Sequence, residues 1–352
     1  MALSVLFVVG VAAAVFVGVN IGGSSTGVAF GPATGSGVLS MRSASALMAV
    51  FVLIGGVTVG RHVVHTLGSE FVSPEYFTLG ASIGVLTFIG LGILLGNVLK
   101  VSVSTSETAV VAVVGMGAAL GALDWSVVGV VVMWWIVSPI LAFWVCAFVG
   151  RYFYDDLVAS LDLENSDHDR LAEYVVVAIG CYMAFSAGAS NTANAVAPLV
   201  GANEIGMLPG VLLGGVAIGA GAFLLGPRTM ETVGNDITDL SLEASLVVDV
   251  VAASIITGLS WAGIPASLAV TLTSCVIGLG WGRASKRVPL GALVRPEGLT
   301  SEEQETLAAD QLDLYDHGTV KRVVATWIVT PTVAGVVAFV AFELGERLHV
   351  VA

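Results

Sequence analysis

Charged residues are scarce in this chain of 352 residues. They make up 11% of it, whereas hydrophobic residues make up 56% and the mean hydropathy is +0.95. This balance excludes a soluble globular domain and indicates an all-α protein that crosses the lipid bilayer several times. Because 13 Lys and Arg stand against 26 Asp and Glu, we expect no nucleic-acid partner.

Cysteine is rarer still, with three residues that all lie inside apolar stretches: Cys146, Cys181 and Cys275. Three scattered thiols make neither a disulfide framework nor a metal site, so we expect no bound metal and no cofactor. The chain also lacks a phosphate-binding loop and a nucleophile paired with a base. We therefore do not expect an enzyme.

The acidic residues are concentrated in two segments. Seven of them lie between Asp155 and Glu173, and seven more between Glu297 and Asp316. Because carboxylates keep a surface hydrated in concentrated salt, this distribution suggests a halophile. We predict a first transmembrane repeat at 1–154, an acidic cytoplasmic linker at 155–171 and a second repeat at 172–352, which carries an acidic insertion at about 288–320.

Ten apolar stretches are long enough to cross a hydrocarbon core, which takes about 20 residues. They fall near 2–20, 43–60, 76–99, 104–123, 125–149, 172–187, 205–226, 244–262, 265–282 and 323–342. Five spans per half is an odd number, so the second half is predicted upside down relative to the first. With the N-terminus outside, eleven basic residues fall inside and two outside, which places both termini outside the cell membrane.

Two stretches of small and polar residues lie 166 positions apart. Residues 22–32 read Gly-Gly-Ser-Ser-Thr-Gly-Val-Ala-Phe-Gly-Pro, and residues 188–198 read Gly-Ala-Ser-Asn-Thr-Ala-Asn-Ala-Val-Ala-Pro. Gly and Pro free backbone groups that hydrocarbon cannot satisfy, so we predict two broken, re-entrant elements that line a shared cavity. The alternative is that the small residues only allow close helix packing.

Other stretches repeat as well. Residues 103–108 pair with 265–270, and residues 135–139 (Trp-Ile-Val-Ser-Pro) recur at 327–331 as Trp-Ile-Val-Thr-Pro. If the elements meet near the bilayer midplane, helix N-termini and side-chain donors there favour an anion without Arg or Lys. The candidate binding residues are Ser24, Ser25, Thr26, Ser104, Thr105, Ser190, Asn191, Thr192, Asn194 and Ser267.

Two acids lie at membrane depth and are candidates for carrying a coupling ion. Glu107 follows Ser104 at the spacing of a capping box, so a helix-capping role is the alternative for it. Asp249 lies inside the eighth span, where a hydrogen bond between helices is an equal alternative. Asn191 and Asn194 complete the set of coupling-ion candidates.

The second motif resembles the signature Gly-Ala-Asn-Asp-x-Ala-Asn-Ala of the inorganic phosphate transporter (PiT) family, and the likeness extends over nearly the whole chain. The resemblance implies a homodimer that transports phosphate together with a sodium ion or a proton; some members take sulfate. The chain departs from the signature at its acids, because Ser24-Ser25 and Ser190-Asn191 stand where the family has Asn-Asp.

We therefore expect a secondary transporter that moves inorganic phosphate by alternating access, coupled to a cation. A sulfate permease of the same family is one alternative. An uncoupled channel-like or sensory protein that binds anions is another, because the chain lacks both signature carboxylates. Their loss lowers the repulsion of an anion by several kcal/mol at an effective dielectric of about 20.

Overall fold

The computed structural model describes residues 4–99, 103–161, 170–227, 241–286 and 317–348. These residues form eleven named helices and a short 3-10 turn at Pro74–Tyr76. The helices are α1 Val5–Gly35, α2 Met41–Glu70, α3 Leu79–Leu99, α4 Thr105–Ala119, α5 Trp125–Tyr152, α6 Tyr154–Leu161, α7 Arg170–Gly201, α8 Met207–Leu224, α9 Leu242–Trp261, α10 Leu268–Ser285 and α11 His317–Arg347. Within α2, π-helical turns occupy Gly56–Gly60 and Thr66–Glu70.

Every predicted apolar stretch corresponds to one of these helices. Eight of the helices are long and apolar enough to cross a membrane, which makes the chain a multi-pass membrane protein. By contrast, α4 has 15 residues and a length of about 22 Å, so it is too short to cross the core alone. The acidic segments lie largely outside the described residues, since 162–169 and 287–316 are not among them.

Polar N-caps define where the helices begin. At six helices the residue before the first turn accepts a hydrogen bond from a backbone N–H of that turn, which satisfies a donor that the helix itself leaves free. These residues are Ser4, Ser40, Ser104, Asp124, Ser241 and Ser267. Two of them, Ser104 and Ser267, came from the repeated segments found in the sequence.

The two motifs are not broken, which corrects the prediction of re-entrant elements. Residues 22–32 belong to the continuous 31-residue helix α1, and residues 188–198 belong to the continuous 32-residue helix α7. Each is about 46–48 Å long, so the predicted first and sixth spans continue directly into the motifs. Because a longer single crossing ends on the same side as a span followed by a re-entrant loop, the count of basic residues per side is unchanged.

The polar side chains of the motifs are compatible with a helix because their hydroxyls find partners within it. Thr26 Oγ1 donates to Gly22 O at 2.6 Å, and Thr192 Oγ1 donates to Gly188 O at 2.8 Å. Hydroxyls that return to a carbonyl of the previous turn need no water and no broken backbone. Pro32 lies in the last turn of α1, so the hydrogen bond that it removes from the helix is near the end of the helix.

The motif glycines allow neighbouring backbones to approach, as the packing alternative predicted. A Cβ added at Gly22 of α1 would collide with the carbonyl oxygen of Ile218 in α8. A Cβ added at Gly188 of α7 would collide with the carbonyl oxygen of Val52 in α2. The two contacts are related by the repeat offset: Gly188 lies 166 positions after Gly22, and Ile218 lies 166 positions after Val52. In one contact the glycine comes from the first half of the chain, and in the other it comes from the second half.

Such reciprocal contacts are what an internal two-fold axis produces. A second set of contacts follows the same exchange and the same offset: Gly55 with Phe185, and Gly221 with Val19. The outer helices repeat the pattern, because Gly115 of α4 approaches Gly335 O of α11 and Gly278 of α10 approaches Phe143 O of α5. The last helix of each half therefore packs on the helix that follows the repeated Ser segment of the other half, in agreement with the predicted duplication.

This packing predicts a difference between two glycines. Gly188→Ala should lower the free energy of unfolding by about 1–3 kcal/mol, because the added methyl group has no room beside α2. Gly258→Ala on α9 is the control, since a Cβ there would meet nothing within 4 Å. The measurement is the thermal unfolding midpoint in detergent; equal midpoints for the two variants would contradict the packing account.

Candidate functional site

A cavity lies where the two halves of the chain meet. Its volume is about 400 Å³, including its open mouth. The lining residues come from α1, α4, α7 and α10 or the segments just before them: Ser24, Ser25, Val28, Val103, Thr105, Asn191, Ser267, Leu268 and Ala269.

The predicted convergence of the motifs is therefore found in the structure. Ser24 and Ser25 of the first motif share the cavity with Asn191 of the second, and Thr105 and Ser267 of the other repeated segments join them. Within the described residues no charged side chain lines it. Its polar groups are hydroxyls and one amide, which supply hydrogen-bond donors without a fixed charge.

Two helices begin at this cavity, and their N-termini carry the electrostatics of the site. Thr105 opens α4, and Leu268 opens α10. Each helix leaves its first N–H groups without an intrahelical partner, and the aligned peptide dipoles add about half a positive charge. The sequence predicted helix N-termini at the site, and the structure has them there. They belong to α4 and α10, however, and not to the helices that carry the motifs.

At each of these N-termini the cap residue satisfies one backbone N–H of the first turn. Ser104 Oγ accepts from Glu107 N at 3.3 Å, and Ser267 Oγ accepts from Val270 N at 3.3 Å. A cap of this kind satisfies one of the free donors and leaves the others for a ligand. In an interior that excludes water, such donors interact with an anion more strongly than they do at a surface.

Asn191 is the best-anchored side chain of the site. Its Oδ1 accepts from Thr105 Oγ1 at 2.8 Å, from Ser106 Oγ at 3.3 Å and from Asn194 Nδ2 at 3.2 Å. With three donors on its oxygen, the side chain is held against α4. The Nδ2 amide group is then the part of Asn191 that is left for the cavity, where it serves as a donor.

Asn194 is fully buried one turn after Asn191. Its Nδ2 also donates to Ser106 Oγ at 3.4 Å, so it extends the polar contact between α7 and α4. Its Oδ1 has no hydrogen-bond partner in the described part of the chain. A buried amide oxygen without a partner is costly, which makes this atom an available acceptor beside the cavity.

Five of the ten predicted binding residues are not among the lining residues: Ser104 and Asn194, whose contacts are given above, and Thr26, Ser190 and Thr192. Thr26 packs against Gly226, and Thr192 packs between Gly56 and Gly214. Ser190 is fully buried, and its Oγ is 3.5 Å from Ala187 O in its own helix. Because the motifs are helical, only one face of each can reach the cavity, and these three residues occupy other faces.

The two candidate acids also lie outside the set of lining residues. Glu107 is in the first turn of α4, half-buried, and its backbone N–H bonds Ser104 Oγ, just as the N–H of Val270 bonds Ser267 Oγ. Asp249 is buried in the middle of α9, 4% exposed. Of the two, Glu107 is the closer in sequence to a lining residue, two positions after Thr105.

Sequence reasoning missed one residue of the candidate site. Ser106 is fully buried and its hydroxyl contacts both Asn191 and Asn194, yet it was not among the predicted site residues. The signal was the run of three hydroxyl residues that starts at Ser104. The sequence identifies Ser104 as the capping residue, but it does not show which of the other two hydroxyls contacts α7.

Comparison with known proteins agrees with this geometry. The model of the phosphate transporter family matches residues 21–338. The sulfate permease CysP of Bacillus subtilis is 33% identical over 274 residues, which cover 78% of this chain and 77% of that protein. A protein of Pyrococcus furiosus named "Putative phosphate permease" is 24% identical, over 92% of both chains.

A solved structure shows the same fold. The chain described as the sodium-dependent phosphate transporter superposes with a TM-score of 0.77 and 19% identity, and the match covers 98% of this chain and all of that chain. The family match extends from the first motif to the last helix, and it includes every residue that lines the cavity. The chain therefore belongs to the phosphate transporter family.

Proposed function

We propose that this protein is a secondary transporter that moves inorganic phosphate across the cell membrane by alternating access, coupled to a cation. The observation that carries the proposal is the cavity in which both motifs and two helix N-termini meet. Binding sites at the interface of two repeats are characteristic of carriers in which one repeat moves against the other. Family membership supports the same conclusion.

The ion would be held by uncharged donors. The hydroxyls of Ser25 and Ser267, the Nδ2 group of Asn191 and the free N–H groups of α4 and α10 surround one space, while the Thr105 hydroxyl donates to Asn191 Oδ1. A hydrogen bond to a charged partner contributes about 1.5–3 kcal/mol net of the water that it replaces, so a few of them favour binding of the ion. No Arg or Lys is needed, and a weakly held ion can leave on the other side.

The cation would be bound or carried close to the anion. Asn194 Oδ1 is a free acceptor for sodium, and Glu107, two positions from a lining residue, is the candidate proton carrier. Asn191 is a weaker ligand for sodium than the family's carboxylate would be, because it has no charge and its oxygen is already shared by three donors. Asp249 is the more remote candidate.

Sulfate is the second candidate substrate, and two observations favour it. One is the 33% identity with a sulfate permease. The other is the lack of a carboxylate among the described residues that line the cavity. Phosphate at neutral pH carries at least one P–OH group that needs an acceptor, whereas sulfate only accepts, and a cavity without a carboxylate offers phosphate no charged acceptor that would favour it over sulfate.

We also propose the arrangement of the protein in the membrane. Both termini lie outside, the linker at 155–171 and the insertion at about 288–320 lie in the cytoplasm, and two copies form a homodimer. The count of basic residues supports the orientation. The resemblance to the PiT family supports the dimer.

Uptake into proteoliposomes tests the function and the substrate together. We expect labelled phosphate to accumulate above its equilibrium level when an inward gradient of sodium or protons is imposed, and to stop doing so when the gradient is collapsed. Labelled sulfate is measured in parallel. A preference for sulfate would show that sulfate, and not phosphate, is the substrate. Equilibration without accumulation would support the uncoupled alternative.

Removal of the Asn191 amide tests the site. Asn191→Ala should raise the KM for the anion about tenfold or more, because a donor to a charged ligand is lost together with the anchor of Thr105. Thr192→Ser is the matched control, since the neighbouring side chain keeps its bond to Gly188 O and faces α2 and α8. Equal KM values for the two variants would contradict the site.

Restoring the family carboxylate tests selectivity. Asn191→Asp places an acceptor and a negative charge in the cavity, which favours an anion with a proton and repels one without. We expect the ratio of phosphate to sulfate uptake to rise about tenfold. The measurement is competition between the two labelled ions at one pH, and a ratio equal to that of the parent would refute the role of Asn191 in selectivity.

A further inference from the structure

Trp135 holds one wall of the cavity from behind. This half-buried residue of α5 donates its indole Nε1–H to the carbonyl oxygen of Pro265 at 2.8 Å. Pro265 lies in the turn between α9 and α10, two residues before Ser267, and residues 267–269 line the cavity. The bond therefore fixes the segment that carries the N-terminus of α10 to a helix that does not line the cavity.

Backbone hydrogen bonds close the turn that precedes Pro265. Gly263 has a φ of +75°, and the N–H of Ile264 bonds Leu259 O, so the chain reverses at the end of α9. Pro265 provides no N–H, which leaves its carbonyl as its only backbone hydrogen-bonding group. Making or breaking the one hydrogen bond to that carbonyl therefore changes how firmly the turn is attached to α5.

The tryptophan at the equivalent position of the second half, Trp327, differs from Trp135 in its hydrogen bonding. Trp327 of α11 lies 192 positions after Trp135, in the same Trp-Ile-Val-x-Pro context. Its Nε1 is buried, and no hydrogen-bond partner for it exists in the described ranges. A buried N–H without a partner is unfavourable, so the two equivalent indoles differ in how well this conformation suits them.

The helix N-termini that face these tryptophans also differ. On the α4 side, Thr105 and Ser106 bond Asn191 of α7, so the polar contact comes from the cavity side. On the α10 side, the equivalent positions are Leu268 and Ala269, which have no hydroxyl. The segment before α10 is instead bonded by Trp135, which lies on the side away from the cavity.

We propose that Trp135 is a positioning residue for transport: its bond to Pro265 stabilises the access state described here, and the change of access requires the bond to open. In a carrier built from two repeats, the two end states exchange the conformations of the halves. An interaction present in one state only shifts the balance between them by its own free energy. The bonded Trp135 and the unbonded Trp327 mark the two halves as being in different conformations.

The inference depends on the proposed transport function for its meaning, but its test does not require a transported ion. Ala269→Cys, in a chain whose Cys146, Cys181 and Cys275 are replaced by Ala, places one thiol in the cavity wall. A membrane-impermeant maleimide is applied separately to each face of oriented vesicles. The ratio of the two labelling rates reports which face the cavity opens to, and Leu268→Cys is a second reporter.

We expect Trp135→Phe to change this ratio about three- to tenfold, the range that the net contribution of one hydrogen bond allows. Replacement of Trp135 by 3-benzothienylalanine keeps the shape of the ring and removes only the N–H, so it should give the same change without loss of packing. Trp327→Phe is the matched control. It should change the ratio less than about twofold, or in the opposite direction, because its N–H makes no bond in this state.

Two results would overturn the proposal. One is a ratio in both Trp135 variants equal to that of the parent. The other is an equal change in the same direction for Trp135→Phe and Trp327→Phe, which would show a general effect of losing an indole. Failure of phosphate and sulfate uptake would refute the proposed function and leave the labelling ratio readable.

Discussion

The close approach of helix backbones at glycine is the interaction on which the rest of this structure depends. At Gly22 and Gly188 there is no room for a Cβ, because the carbonyls of α8 and α2 occupy that space. Inside a bilayer, helices gain little from burying apolar side chains, and close van der Waals contact replaces that driving force. The contact fixes the rotation of α1 and α7. That rotation turns Ser25 and Asn191 toward one cavity and turns Thr26 and Thr192 away from it.

The duplicated sequence then places two helix N-termini at the same point. Ser104 and Ser267 each cap a helix whose first turn lies against the cavity, so the site is polar and positive without any basic side chain. The halves are not identical there. Hydroxyls follow Ser104, whereas Leu268 and Ala269 follow Ser267. The α4 side is therefore tied to α7 through Asn191, and the α10 side is tied to α5 through Trp135.

Within the described residues the cavity has no charged side chain, which is a departure from the PiT signature. The carboxylates that the PiT signature would provide are replaced by Ser25 and Asn191, and Asn191 Oδ1 is already shared by three donors. The site therefore offers an anion more donors and a cation fewer ligands. This balance connects the similarity to a sulfate permease with the chemistry of the lining residues, since an ion without a proton needs no acceptor.

The sequence by itself determined the ten apolar stretches, the repeated segments and five of the nine residues that line the cavity, because hydropathy, motif spacing and polar composition are local properties that survive in a single chain. It also led to an error: small residues next to Pro were interpreted as broken backbone, although α1 and α7 are continuous helices whose motif threonines bond to the preceding turn. Only the tertiary structure decided which face of each motif lines the cavity, that α4 and α10 supply the N-termini, that Ser106 contacts Asn191 and Asn194, and that Trp135 bonds Pro265. Those facts depend on how one helix is rotated against another, and contacts between residues 130 positions apart, such as Trp135 with Pro265, leave no local pattern to read.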